Sequence, residues 1–233
     1  VLMIQTLASG SSGNAYVISD GETTLLLEAG LPIHKLCTMV DLSSVDAVLI
    51  SHEHMDHAKA AAELATRYCL PVIGTKGTME ALGVSSFYGL PIKAGEKFEV
   101  KSFKVKAFNV PHDAAEPVGY IIRGASGDKL MFITDAMYIP IKAPKGLTHL
   151  MVECNYSLPL LQKGIEDGET AHAQRERIRR SHMSLETLTK WLTDNEERLR
   201  TLREIHIIHV SSRNGDAVLF KEEIRKLTGK AVY

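Results

Sequence analysis

At 233 residues with 45% hydrophobic content, the chain is long enough to bury one substantial core. A formal net charge of −1 excludes global polyelectrolyte character, so any nucleic-acid partner must be met by a local basic patch. Cys37, Cys69 and Cys154 are odd in number and widely spaced with no CxxC pair, which excludes a disulfide framework or thiolate zinc knuckle and suits a reducing compartment.

The N-terminal stretch VLMIQTLASGSSGN has no basic region and no sustained apolar run, so no signal peptide is expected. MIQTLA, AYVIS and TTLLLEAG read as strands separated by Gly, Ser and Asp, and VDAVLIS as a buried strand. LASGSSGN, between the first two, is a small-residue loop suited to a tight turn or, less readily, an anion cradle. After His57, Ala61, Leu64, Ala65 and Tyr68 recur at helical spacing until Pro71. SFKVKAFNV, PVGYIIR and KLMFITD are strands, and Leu158 to Arg203 reads as mostly helical. REIHIIHV is a last buried strand and FKEEIRKL a closing helix. No segment reaches transmembrane length. The expectation is a single α/β domain over residues 1–233, soluble, cytoplasmic and without a membrane partner.

Chemistry concentrates at strand ends. TLLLE stops at Glu28, AVLIS runs into His52, LMFIT stops at Asp135, and IHIIH stops at His209, while NVPHD adds His112. Rigid strand ends are where α/β proteins commonly hold their functional loops. In SHEHMDH an extended Ser51–Met55 sends His52 and His54 to one side, and a turn into a helix presents Asp56 and His57. Imidazole and carboxylate ligands suit zinc, manganese or iron, whereas calcium wants oxygen. Six or more such ligands exceed one tetrahedral zinc, so two ions are expected.

HxHxDH, followed by a lone His, a strand-terminal Asp and a late His, resembles the metallo-β-lactamase superfamily over essentially the whole chain. LASGSSGNAYVI, VPHDAAEPVGYII, FITDAMY, MVECNY, SHMS and HVSSRN are similar to segments of its YycJ/WalJ-type metallohydrolases, and the last two also to the RNase Z branch. The resemblance implies an αββα four-layer sandwich. It also implies one ion on His52, His54 and His112, another on Asp56, His57 and His209, and Asp135 bridging. His182 of SHMS matches a histidine that the RNase Z branch sets beside the scissile phosphate, so Asp56 and His182 are the candidate catalytic residues. Glu28 stands where relatives carry Asp and is expected to support the ligand loop. Tyr156 replaces a frequent His after Asn155, and the last helix looks short. Asn155 and Ser211 are candidate substrate contacts.

Blander readings hold elsewhere. His34, His149, His172 and His206 match no motif. His206 and His209 lie an odd number apart on a strand, so only one can enter a site. SHMS can also begin a helix capped by Ser181 or Ser184. Arg175, Arg177, Arg179 and Arg180 precede His182 either as a solvated helix face or as a phosphate clamp, with Arg179 and Arg180 the candidate contacts.

The implied activity is a metal-dependent phosphodiesterase, a DNA or RNA exonuclease using a hydroxide shared by two Zn2+ or Mn2+ ions. The alternative is a cyclic-nucleotide phosphodiesterase of the RNase Z-like type, and a non-catalytic metal-stabilised nucleic-acid-binding protein stands further off. A β-lactamase with a Cys ligand, a glyoxalase II and a flavodiiron protein fit the residues less well.

Overall fold

The structure, a computed structural model, describes residues 1–84, 87–168 and 171–233, apart from the side chain of His172. The backbone contacts sort into two compact units: Val1–Asn109 with Ala114–Asp128, and Val110–Asp113 with Lys129–Tyr233.

In the first unit, β1 (Met3–Ala8), β2 (Ala15–Ser19), β3 (Thr24–Leu27), β4 (Ala47–Leu49), β5 (Val72–Thr75) and β6 (Gly89–Ile92) form a six-stranded sheet in chain order. The β1–β2–β3 pairings are antiparallel and those from β3 to β6 parallel. One face is covered by α1 (Ile33–Met39), α3 (Ala61–Arg67) and α4 (Lys76–Leu82), after a one-turn α2 (Met55–Ala58). Leu26, Val48 and Val72 share that core with Leu36, Leu64, Ala65 and Met79. The alternate residues Leu25, Leu27 and Leu49 are equally buried. Burial on both faces explains why TLLL and AVLI are unbroken apolar runs instead of alternating ones.

The antiparallel strands β7 (Lys97–Val100), β8 (Phe103–Asn109) and β9 (Val118–Arg123) alternate instead. Phe103, Val105, Ala107, Val118, Tyr120 and Ile122 are buried, while Lys104 and Lys106 stand in water. Two bonds tie this ribbon to the segment that follows β4. The Tyr120 hydroxyl donates to the Ile50 carbonyl at 2.6 Å, and the Val118 N–H to the Ser51 carbonyl at 3.0 Å.

The second unit carries the parallel strands β10 (Lys129–Ile133), β11 (His149–Glu153), β12 (Glu204–Ile208) and β13 (Ala231–Val232), neighbours in that order. The β11–β12 crossover contains α5 (Leu158–Glu166), α6 (His172–Ser181) and α7 (Leu185–Asp194), so the expected helical stretch is three helices; its residues 169–170 lie outside the described residues. α7 starts at Ser184, whose hydroxyl accepts from the Thr187 N–H at 3.1 Å, and buries Leu188, Trp191 and Leu192 at helical spacing. α8 (Ala217–Thr228) begins earlier than FKEEIRKL because the Asp216 carboxylate caps the Val218 and Leu219 N–H groups. Gly229, at φ 65°, ends it.

Among the described residues no helix is long and apolar enough to cross a membrane. The Tyr120 bond is the most direct link between the ribbon and the strand that leads into His52. Tyr120→Phe leaves the buried Ile50 carbonyl without its donor and is expected to cost about 1–3 kcal/mol in urea unfolding.

Candidate metal centre

In the first unit, the chain leaves β4 extended through His52 until His54 caps α2, whose first turn presents Asp56 and His57. His52 and His57 are buried and His54 half-buried. The His52 ring centroid lies 4.6 Å from that of His54 and 4.3 Å from that of His57. The Ser51 hydroxyl pairs with His52 Nδ1 at 2.9 Å. Asp56 Oδ2 is 3.4 Å from His57 Nε2. The expected clustering of His52, His54, Asp56 and His57 is therefore present, with the helix beginning at Met55.

Glu28, one residue beyond β3, is fully buried and adopts φ 63°. Its Oε1 accepts the Ser51 N–H at 3.1 Å, and Oε2 lies 3.6 Å from His57 Nδ1. Burial raises its pKa more than His57 and Ser51 lower it. The carboxylate thus bonds to Ser51 at one end of the SHEHMDH segment and lies near His57 at the other.

LASGSSGN forms a tight turn that grips that loop from another side. Asn14 donates to the Asp56 carbonyl through its N–H at 2.7 Å and through Nδ2 at 3.1 Å, and Nδ2 also reaches His57 Nε2 at 3.1 Å. Gly30 passes so close that a Cβ there would sit 1.7 Å from the Asp56 carbonyl oxygen. Only glycine leaves that space.

In the second unit, His112 Nδ1 meets the Ser181 carbonyl at 2.9 Å. A carbonyl only accepts, so Nδ1 carries the proton and Nε2, 3.7 Å from Asp135 Oδ2, carries the lone pair. Burial holds the His112 pKa down, against the pull of Asp135, which favours the neutral ring. Asp135 and His209, each just past a strand, are buried with φ 38° and 53°. His209 Nδ1 lies 2.9 Å from Asp135 Oδ1 and 3.0 Å from Glu153 Oε1.

Glu153 escaped the sequence analysis as a site residue. It ends β11 with no solvent exposure, its Oε2 accepting the Ala136 and Met183 N–H groups at 2.9 and 3.2 Å. Its Oε1 meets His182 Nδ1 at 2.6 Å. The signal was available, since HLMVE is one more apolar strand ending in an acid. Asp135, Glu153, His182 and His209 all offer ligand atoms within 4.8 Å of one another. Burial pushes the Glu153 pKa up, but His182 and His209 outweigh it and the net shift is down. For His182, burial pushes down, and Glu153 with Asp135 reverse it to a net rise.

The remaining candidates fall in distinct places. Asn155 is buried, with Nδ2 donating to the His209 carbonyl at 2.9 Å, and its own carbonyl accepts the Ser211 N–H at 2.8 Å. The Ser211 hydroxyl accepts the Arg213 and Asn214 N–H groups. Arg180 and Arg177 line an open cleft of about 660 Å3 with His112, Asp113 and Ser181. Arg179 is exposed and lies 3.8 Å from Glu176. Tyr156 is buried and bridges to Ser184. Outside the site, His34 is exposed, His149 pairs with Thr148, and His206 stacks on Tyr233 with centroids 5.0 Å apart. The His172 side chain lies outside the described residues.

Each unit, taken by itself, gathers imidazoles and carboxylates whose other atoms are held by backbone or acid partners. That donor chemistry fits divalent metal binding.

The sequence profile of the Beta-lactamase superfamily domain matches residues 24–209. The exodeoxyribonuclease YycJ of Bacillus anthracis is 33% identical over 180 residues, 70% of this chain and 66% of that protein. The exodeoxyribonuclease WalJ of Streptococcus pneumoniae is 29% identical over 175 residues, 68% of this chain and 64% of that protein. The matches thus span slightly less than two thirds of either relative. The metallo-β-lactamase fold protein YhfI from Bacillus subtilis superposes with a TM-score of 0.77 at 17% identity, covering 100% of this chain and 95% of that one, so the fold is the metallo-β-lactamase α/β sandwich.

Because Glu153 holds the proton on His182, Glu153→Gln is expected to lower the His182 pKa in the metal-free protein. The imidazolium is then lost at a lower pH than in the parent, which an NMR titration of the histidine rings reads directly.

Proposed function

The chain belongs to the β-lactamase superfamily, and from that premise we propose that it is a metal-dependent phosphodiesterase acting on nucleic acid, an exonuclease like the YycJ and WalJ proteins it resembles. The observation that carries this reading is the cluster of buried Asp135, Glu153 and His209 with half-buried His182, and His112 ties the same unit to the arginine-lined cleft. We take residues 1–233 as one hydrolase domain, since the family match runs through both units.

His52, His54 and His112 would hold one divalent ion, Asp56, His57 and His209 a second, with Asp135 bridging. Zinc and manganese suit this ligand chemistry. Such ions supply Lewis acidity toward a phosphoryl oxygen and a hydroxide nucleophile at neutral pH. The protein's own residues do the rest. Glu28 and Asn14 fix the Asp56–His57 loop, and Asn155 fixes the His209 backbone. Arg180 and Arg179 present guanidinium forks to phosphate oxygens. His182, its Nδ1 anchored on the Glu153 carboxylate that raises its pKa, is the group placed to give a proton from Nε2 to the leaving oxygen. Asp56, whose side chain is 28% exposed, orients the nucleophile as well as ligating. Three free cysteines suit residence in a reducing, cytoplasmic compartment.

Purified protein is expected to contain close to two metal ions and to hydrolyse bis-p-nitrophenyl phosphate. His57→Ala should abolish that activity, and His182→Ala should lower kcat about 10²–10⁴-fold with KM little changed. Full activity in His57→Ala, or none in the metal-loaded parent, contradicts the reading. Turnover of 5′-phosphorylated single-stranded DNA over cyclic mononucleotides is expected; the reverse preference makes the protein a cyclic-nucleotide phosphodiesterase.

A further inference from the structure

The outer face of the β7–β8–β9 ribbon carries cations that neither the core nor the metal centre uses. β8 turns Phe103, Val105 and Ala107 inward and Lys104 and Lys106 outward. In the antiparallel ladder Lys106 stands directly opposite Lys97, and Lys104 directly opposite Arg123. Directly paired residues share a face, so these four cations form one outward strip. Like charges in such positions destabilise a ladder. Glu99, opposite Lys104 at 3.4 Å, is the single acid that the ladder sets across from these cations. Among the described residues Lys97, Lys106 and Arg123 have no acidic partner. Lys101, in the turn below, is engaged by Asp46 and adds little.

Lysine on an edge strand is often a guard against sheet-to-sheet aggregation, which β7 by itself would satisfy. That account does not cover β8, which is paired on both sides, nor the placement of cation opposite cation on two successive rungs. The chain as a whole carries a net charge of −1, so the strip is a local concentration and not the overflow of a basic protein.

The strip also has a direction. Val118, where β9 begins, bonds to the Ser51 carbonyl beside His52, and Ile121, opposite Lys106, lies three residues further along. At about 3.4 Å per residue the cations sit roughly 10–17 Å along the strand from that point. We propose that this outer face is a docking track for the sugar–phosphate backbone of a single-stranded nucleic acid, met as point charges without base reading. The proposal rests on the phosphodiesterase reading for its biological sense and extends it by assigning a binding surface outside the metal centre. Four phosphate contacts of this kind correspond to a salt slope of about −3 in log K against log [NaCl].

The test uses the full chain with Lys97→Gln, Lys104→Gln, Lys106→Gln and Arg123→Gln combined, and a fluorescent 30-nucleotide single strand in EDTA, so that binding is read without cleavage. Affinity at 100 mM NaCl is expected to fall at least about tenfold and the salt slope to shrink by about 3, while hydrolysis of bis-p-nitrophenyl phosphate by the metal-loaded variant matches the parent. Unchanged affinity and slope overturn the track and leave the catalytic reading intact. Loss of binding by a variant whose parent hydrolyses no phosphodiester supports the track and removes the catalytic reading. Parent protein that binds phosphatidylserine vesicles and not the strand overturns the proposal. Lys106→Gln alone guards against misfolding: relieved of Lys97, it should melt no lower than the parent while already weakening binding about twofold or more.

Discussion

Each unit of this chain buries a glutamate completely, at the end of a parallel strand, and within each unit histidines and backbone N–H groups are arranged around that carboxylate. A buried carboxylate is tolerated only when its oxygens are met by donors. Glu28 accepts the Ser51 N–H with Oε1, while Oε2 lies 3.6 Å from His57 Nδ1, in ion-pair range and not in a hydrogen bond. Glu153 divides itself between two N–H groups on one oxygen and His182 and His209 on the other. In both cases one oxygen fixes backbone and the other orients imidazole. The two differ in charge balance, because burial wins at Glu28 and the histidines win at Glu153.

The strand ends carry a second signature of the same constraint. Glu28, Asp135 and His209 adopt left-handed φ without being glycine. Each such residue costs on the order of 1–3 kcal/mol and persists only where its surroundings hold it. The surroundings are visible: Ala29 donates to the His57 carbonyl at 2.6 Å, Ala136 to Glu153, and Asn155 to the His209 carbonyl. The turn at the end of each strand lets an apolar run enter the core and deliver its last side chain sideways. Side chains set on such turns are placed by the folded sheet itself.

Much of this was legible from residues alone. Apolar runs ending in Glu28, Asp135 and His209 marked strand termini, and the odd spacing of His206 and His209 separated a surface stack from a site residue. SHMS does begin a helix, with Ser184 capping α7, and its His182 meets Glu153. What escaped did so for physical reasons. β5, β6 and β13 are four residues or fewer, and GLPI holds Gly and Pro, so no periodicity develops. Glu153 escaped because its role depends on His182 and His209, which are distant in sequence and meet on it only in the fold. The bond from Asn155 Nδ2 to the His209 carbonyl was not legible either, because it joins residues 54 apart that meet beyond the paired ends of β11 and β12.

The central claim is that the two glutamates and the strand-end turns set the ligand loops before any ion binds. Hydrogen–deuterium exchange of the metal-stripped protein at the Ser51, Ala29, Ala136 and Met183 amides tests it most directly. Slow exchange at all four, changed little by added zinc, is the predicted result. Amides that exchange freely without metal and become protected only when zinc is added would contradict it, because the ion, and not the carboxylates, would then be building the site.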